Sequence, residues 1–265
     1  LDDGKVEMDD TIRVYRNGWS YHGSKHTDAH PADTIYNIRQ AMAVSSNIAL
    51  AKIVTEGYGG SAKKFVKKLK NMGLCDSVDY TIPGAKQALI NVPNDTVTIS
   101  KMAYGYSVEL SPLQMLTFYN GIANDGKMIT PLIVKEIRKN GKVIEEFESS
   151  VIRSSMCSDA TLESIRECLH DVVWNDTLGT ASVNPWGTRK AQSDLVAIAG
   201  KTGTAQILEK GYSNRRHRMS FVGYFPEENP QYTCICVIHG PQWPYDAGMD
   251  CGSVVRHIAE KTMAY

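Results

Sequence analysis

At 265 residues the chain can bury one large core or two small ones, and 42% hydrophobic with 22% charged residues excludes a disordered or low-complexity protein. Lys+Arg and Asp+Glu both number 29, so no global field draws the chain to nucleic acid or to an anionic membrane surface. No stretch reaches the roughly 18 apolar residues of a membrane span, and nothing at the start reads as a signal peptide. The chain opens Leu1-Asp2-Asp3-Gly4 rather than with Met, which leaves room for an upstream portion holding an anchor.

In chain order, residues 5–31 are polar and rich in Gly and His and read as loop with one short strand. Asp33 is placed to cap a helix over residues 34–43, and a second helix runs from Asn47 to about Glu56. Ser61 caps a third helix that ends at Gly73. Its lysines, Lys63, Lys64, Lys67, Lys68 and Lys70, form a solvated face rather than a binding patch. Ser111-Pro112 puts a cap and a first-turn proline in their preferred places, opening a helix that closes near Asn124-Asp125-Gly126.

The period then changes. Leu132 to Ile137 and Val143 to Phe147 flank Asn140-Gly141, a strong hairpin signal. Ser158 caps a helix whose apolar residues Leu162, Ile165, Leu169, Val172 and Val173 follow helical spacing. After an irregular stretch over 175–194 come strand-like runs at Val196 to Gln206, Met219 to Tyr224 and Tyr232 to His239. A helix from about Ser253 to Met263 closes the chain. Helices, then hairpin-connected strands, then a last helix imply an α+β fold with an antiparallel sheet flanked by helices.

The six cysteines are spread without a C-x-x-C pair and read as packed free thiols. Cys234 and Cys236 share one face of a strand. His22, His26 and His30 are spaced for a helix that Gly23 and Pro31 oppose, so they read as loop histidines. Neither metal nor cofactor is expected. His217 and His239 read as packing or rim residues.

Two short segments carry chemistry. Lys201-Thr202-Gly203-Thr204 follows the apolar run Leu195 to Ala199 and belongs on a strand. A fixed cation, two hydroxyl donors and a glycine that admits a ligand against the backbone suit a carboxylate, and a free strand-edge N–H can meet a developing oxyanion. Ser45-Ser46-Asn47 falls at the break between two helices, where a short loop presents side chains to a cleft. By itself it reads first as helix capping. The only Ser-x-x-Lys, Ser61-Ala62-Lys63-Lys64, lies downstream of it and is accounted for by a cap and a surface charge.

Segments in a fixed order resemble the transpeptidase domain of class B penicillin-binding proteins. They are Ala43-Val44-Ser45-Ser46-Asn47-Ile48-Ala49; Gly105 to Gln114, similar to G-Y-x-x-x-x-T-P-L-Q with Ser111 for the usual threonine; Ile122-Ala123-Asn124-Asp125-Gly126; Gly179-Thr180-Ala181; Ala199 to Gln206; and Ser220 to Pro226. The resemblance spans 1–265 and implies the penicillin-binding/β-lactamase-like fold. It also implies peptide cross-linking of peptidoglycan: a serine attacks the penultimate D-alanine carbonyl of a stem peptide, terminal D-alanine leaves, and a neighbouring amine resolves the acyl-enzyme. By that resemblance Ser45 relays protons and Asn47 holds the substrate amide. Lys201 supplies positive potential, Thr202 and Thr204 bind the substrate carboxylate, the Thr204 N–H donates to the oxyanion, and Gly203 permits close approach.

The family's nucleophilic serine and lysine base precede Ser-x-Asn and have no counterparts here. The expectation is a truncated domain, inactive alone, whose missing central helix leaves apolar surface exposed. The implied partners are peptidoglycan stem peptides, β-lactam antibiotics and a membrane glycosyltransferase of the division or elongation machinery, with no nucleic acid. The implied location is the periplasmic face of a bacterial inner membrane. A serine β-lactamase or DD-carboxypeptidase, a β-lactam sensor domain, and an inert scaffold with motif relics remain as alternatives. The deacylating glutamate that class A β-lactamases carry after Ser-x-Asn has no clear equivalent.

Overall fold

A computed structural model describes residues 1–78, 84–207 and 216–264. Its N-terminal region holds more strand than the sequence suggests. β1 (Thr11–Val14) pairs with β4 (Thr34–Asn37), and β2 (Trp19–Tyr21) pairs with β3 (Ser24–His26). The turn of that second hairpin, His22-Gly23, takes positive φ at both residues (45° and 81°). This is the geometry that Asn-Gly usually supplies, and histidine at the first position hid the signal.

The helix expected over 34–43 is half strand. Thr34-Ile35-Tyr36 has β-branched and aromatic side chains and a partner strand in register, with Ile12 opposite Tyr36. Helix α1 begins only at Ile38 and ends at Ala43. Its cap is Asn37 rather than Asp33, in a reciprocal box with Gln40. Asp33 instead accepts the Arg16 N–H.

The other helices follow their caps. α2 (Asn47–Gly57) is capped by Ser46, α3 (Ala62–Asn71) by Ser61, and α4 (Thr98–Met102) is a short addition. α5 (Pro112–Ala123) starts at the Ser111 cap. The two-residue β5 (Met128–Ile129) pairs with β8 (Val151–Arg153), enclosing the Asn140-Gly141 hairpin of β6 (Glu136–Lys139) and β7 (Lys142–Glu146). α6 (Asp159–Trp174) follows, capped by Ser158.

The main sheet is antiparallel, in the order β11 (Tyr232–His239), β10 (Arg216–Phe225), β9 (Ala199–Ile207). Alternation along β10 divides two cores. Met219, Phe221 and Phe225 pack with Val255 and Ala259 of α7 (Ser253–Met263), which continues a π-helical turn over Gly248–Gly252. Tyr224 faces the other way, packing with Ile122 and Ala123 of α5 and Leu162 and Leu169 of α6. The expected α+β arrangement is therefore present, with helices on both faces. β11 has no strand on its outer side among the described residues, an edge that favours association between chains.

A separate helical cluster, built on Val54, Phe65, Val66, Ile99 and Met102, joins α2, α3 and α4. His26 ties it to the first hairpin. It is 1% exposed, and its ring nitrogens meet the Tyr104 hydroxyl at 2.8 Å and Ser100 Oγ at 3.0 Å. It is a satisfied core histidine rather than the loop residue the sequence suggests. Among the described residues no group of three or more His, Cys, Asp or Glu is placed to hold a metal.

Burial, helped by the nearby Lys101 charge, lowers the His26 pKa below its usual 6.5. The unfolded state then binds the extra proton more readily, so stability is full above pH 6.5 and falls as pH drops below it. Urea titrations should show that loss in the wild type. His26→Ala should lower stability by about 1–3 kcal/mol through a cavity and the lost contacts to Tyr104 and Ser100, and should flatten the pH dependence in that window.

Candidate functional site

The loop between α1 and α2 is built to hold Ser45 outward. Ser45 adopts φ 54°, a left-handed conformation uncommon for a residue with a Cβ. Ser46, fully buried, locks the turn: its Oγ donates to Asp28 Oδ2 at 2.8 Å and accepts the Ala49 N–H at 3.1 Å. Asp28 Oδ1 in turn accepts the Ile48 N–H at 3.0 Å. Asn47 is the first residue of α2, and its Nδ2 donates to the Thr27 carbonyl at 2.9 Å, which leaves the amide oxygen for a ligand. Asp28 is a positioning group that the sequence pattern did not mark, because it lies 18 residues before Ser46.

Across from this loop runs β9, an edge strand. Its even-numbered residues turn their backbone groups away from β10, since the Gln206 N–H reaches the Tyr106 hydroxyl at 3.3 Å. By the same alternation the Thr202 and Thr204 N–H groups point to the free edge. Lys201 and Thr202 project to opposite faces, yet both border the groove, and among the described residues no further strand pairs with that edge. The Lys201 ammonium donates to Ser45 Oγ and, at 3.2 Å, to the Thr202 carbonyl. The Thr202 and Thr180 hydroxyls meet at 2.7 Å. A Cβ at Gly203 would come within 2.7 Å of Ser220 Oγ, so any other residue here would displace that side chain on the neighbouring strand.

The result is a groove of 680 Å³ between the helical layer and the sheet, bordered by Ser45, Asn47, Lys201, Thr202, Gly203 and Thr204. All six residues marked from the sequence are brought together. Tyr104, Thr180 and Lys190 extend the wall. Lys190, only 9% exposed, pairs with Asp246 at 2.7 Å and donates to the Thr180 carbonyl at 3.2 Å. This support went unmarked because its two partners, Thr180 and Asp246, lie 10 and 56 residues away. Ser61 and Lys64, in contrast, lie on α3, where Ser61 Oγ caps the Lys64 N–H at 3.4 Å, and neither borders the groove.

The model of the penicillin binding protein transpeptidase domain matches residues 1–264. The chain belongs to that family. Among curated relatives of this transpeptidase domain, a peptidoglycan D,D-transpeptidase FtsI homolog of Mesostigma viride is 24% identical over 98% of the chain and 44% of its own length. Penicillin-binding protein PbpB of Mycolicibacterium smegmatis is 30% identical over 74% of the chain and 31% of its own length. The chain thus spans less than half the length of these relatives. In fold it is similar to penicillin binding protein 2X of Streptococcus thermophilus, with a TM-score of 0.84 at 18% identity over 99% of the chain and 39% of that structure. It also resembles the transpeptidase domain of penicillin-binding protein 3 of Burkholderia pseudomallei, with a TM-score of 0.80 at 24% identity over 100% of the chain and 74% of that structure.

The electrostatics of this domain's groove centre on Lys201. Burial lowers its pKa from 10.5 to about 8. Near neutral pH the ammonium is mostly charged, attracting an anionic ligand, while a neutral fraction can accept a proton. Because the folded state binds this proton less readily than the unfolded chain, Lys201 makes stability rise as pH climbs from about 8 toward 10.5. NMR of 13C-methylated lysines should give one midpoint near 8 that disappears in Lys201→Met. Titration of every lysine near 10.5 would contradict this environment.

Proposed function

We propose that this chain supplies the substrate cradle of a serine-type peptidoglycan D,D-transpeptidase, with the attacking serine and its lysine base outside these 265 residues. The observation that carries the proposal is the convergence of Ser45, Asn47, Lys201 and Thr202 on one groove, while the only Ser-x-x-Lys serves as a helix cap elsewhere. In this reading the terminal carboxylate of a D-alanyl-D-alanine stem accepts hydrogen bonds from the Thr202 and Thr204 hydroxyls in the field of Lys201. Thr180 orients Thr202 through their 2.7 Å hydroxyl contact. Asn47 offers its free amide oxygen to the stem backbone.

The outward Thr204 N–H donates to the oxygen of the penultimate carbonyl as a serine adds to it and negative charge builds there. Collapse of that intermediate forms the acyl-serine ester and breaks the bond to terminal D-alanine, whose nitrogen takes a proton. Ser45, in contact with Lys201, carries that proton. An amine of a second stem then displaces the serine and completes the cross-link. β-Lactams occupy the same cradle as analogues of the D-alanyl-D-alanine tail.

Relatives named as peptidoglycan D,D-transpeptidases support this reading over hydrolase and sensor alternatives. Among the described residues no helix is long and apolar enough to cross a membrane. The intact protein is accordingly proposed to be anchored in the inner membrane by a segment outside this chain, to face the periplasm, and to work beside a membrane glycosyltransferase of division or elongation.

The chain alone is expected to form no stable covalent adduct with a fluorescent penicillin. It should instead bind an N-acylated D-alanyl-D-alanine peptide reversibly, with NMR shifts at Thr202 and Thr204, and about tenfold more weakly after Thr202→Val. Stoichiometric, hydroxylamine-sensitive labelling would contradict the assignment, and a label mapped to Ser45 would give the chain its own nucleophile.

A further inference from the structure

A second cleft, of 840 Å³, lies away from the groove and shares no lining residue with it. Helix α6 forms one wall, the turn after β10 another, and Arg39 of α1 closes one end. Its cations are already engaged. Arg39 makes a two-pronged contact with Asp171 at 2.5 and 2.8 Å and reaches Glu167 at 3.1 Å. Arg166 is held by the carbonyls of Ile122 and Ala123 and by Asp125, at 2.7, 3.1 and 2.9 Å. His170 Nδ1 contacts both Glu227 oxygens, at 2.8 and 3.0 Å.

The carboxylates at the rim are not engaged. Asp159, Glu163 and Glu228 border the cleft and have no ion-pair partner among the described residues. An acidic rim alone would be an ordinary solvated surface. The wall beneath it holds a different kind of observation. Tyr224 borders the cleft with 0% exposure, and its buried hydroxyl has no hydrogen-bond partner among the described residues. A buried hydroxyl left unpaired is costly, and proteins pair nearly all such groups. Beside it, Glu227 is buried enough that its carboxyl pKa is raised despite the His170 contact.

The geometry points to a binding site for a primary ammonium on a flexible aliphatic chain, which donates to Tyr224 Oη and Glu227 while the rim carboxylates attract it. An ammonium fits better than a guanidinium. Its three donors radiate from one point and can reach a single hydroxyl and a shared carboxylate, whereas the planar fork of a guanidinium wants an open bidentate partner. The buried Leu162 side chain offers apolar surface to the aliphatic stem. The same chemistry can come from a free diamine or from a lysine-type side chain on a peptide.

The test is an NMR titration of the full chain with cadaverine in one arm and Nα-acetyl-lysine amide in the other, with Nα-acetyl-norleucine amide as the uncharged control. Saturable shifts at α6 and the β10–β11 turn are expected with an amine and not with the control. The tighter arm identifies the source. Tyr224→Phe should raise the melting temperature of the free chain, because it removes an unpaired hydroxyl, and should weaken amine binding about tenfold. Glu227→Gln should weaken binding by a similar factor. Absence of saturable binding, equal response to Nα-acetyl-norleucine amide, unchanged affinity in Tyr224→Phe, or a lower melting temperature for that variant would each overturn the assignment.

Discussion

The site depends on one contact between two layers that the chain joins only at a distance: Ser45 Oγ with the Lys201 ammonium. Ser45 belongs to the helical layer and Lys201 to the edge strand of the sheet, 156 residues later. Their meeting brings the helical and sheet walls of the groove together. Both partners are held in unfavourable states. Ser45 sits at φ 54°, and Lys201 keeps a cation where burial lowers its pKa to about 8. Such local costs persist where the surrounding structure imposes them, and they concentrate at functional sites.

That imposition can be traced residue by residue. On the helical side, the buried Ser46 cap and the Asp28 carboxylate fix the turn through three hydrogen bonds. On the sheet side, pairing of Lys201 with Val222 and Thr202 with Phe221 sets the strand, and β9 is an edge among the described residues, so that both its faces border the groove. Behind Thr202 stands Thr180, whose carbonyl accepts from the buried Lys190, itself paired with the more exposed Asp246. Gly248 is needed there, since a Cβ would come within 2.3 Å of the same carbonyl. The groove is therefore held in shape by its own supports, which suits the proposed cradle by limiting reorganisation on binding.

Much of the fold was legible because it rests on local chemistry. Ser61, Ser111-Pro112 and Ser158 cap helices where the sequence puts them, and Asn140-Gly141 turns its hairpin. The N-terminal strands were not legible. Thr34 to Tyr36 becomes strand only because β1 is available to pair with it, and His22-Gly23 makes a tight turn with an unusual first residue. The marked site residues converge as family order implied. Their supports do not show in any short window, because Asp28, Thr180, Lys190 and Asp246 act through contacts with distant segments. His26 was misread for the same reason: its two partners lie more than 70 residues away, at Ser100 and Tyr104.

The most direct test is a double-mutant cycle by urea unfolding of the wild type, Ser45→Ala, Lys201→Met and the combined variant. If the hydroxyl–ammonium contact joins the layers, the two substitutions should be non-additive by about 1 kcal/mol or more, with Ser45→Ala costly only while the lysine is present. Additivity within about 0.5 kcal/mol would mean that the two side chains act independently, and the bridge on which the groove is built would be lost from the account.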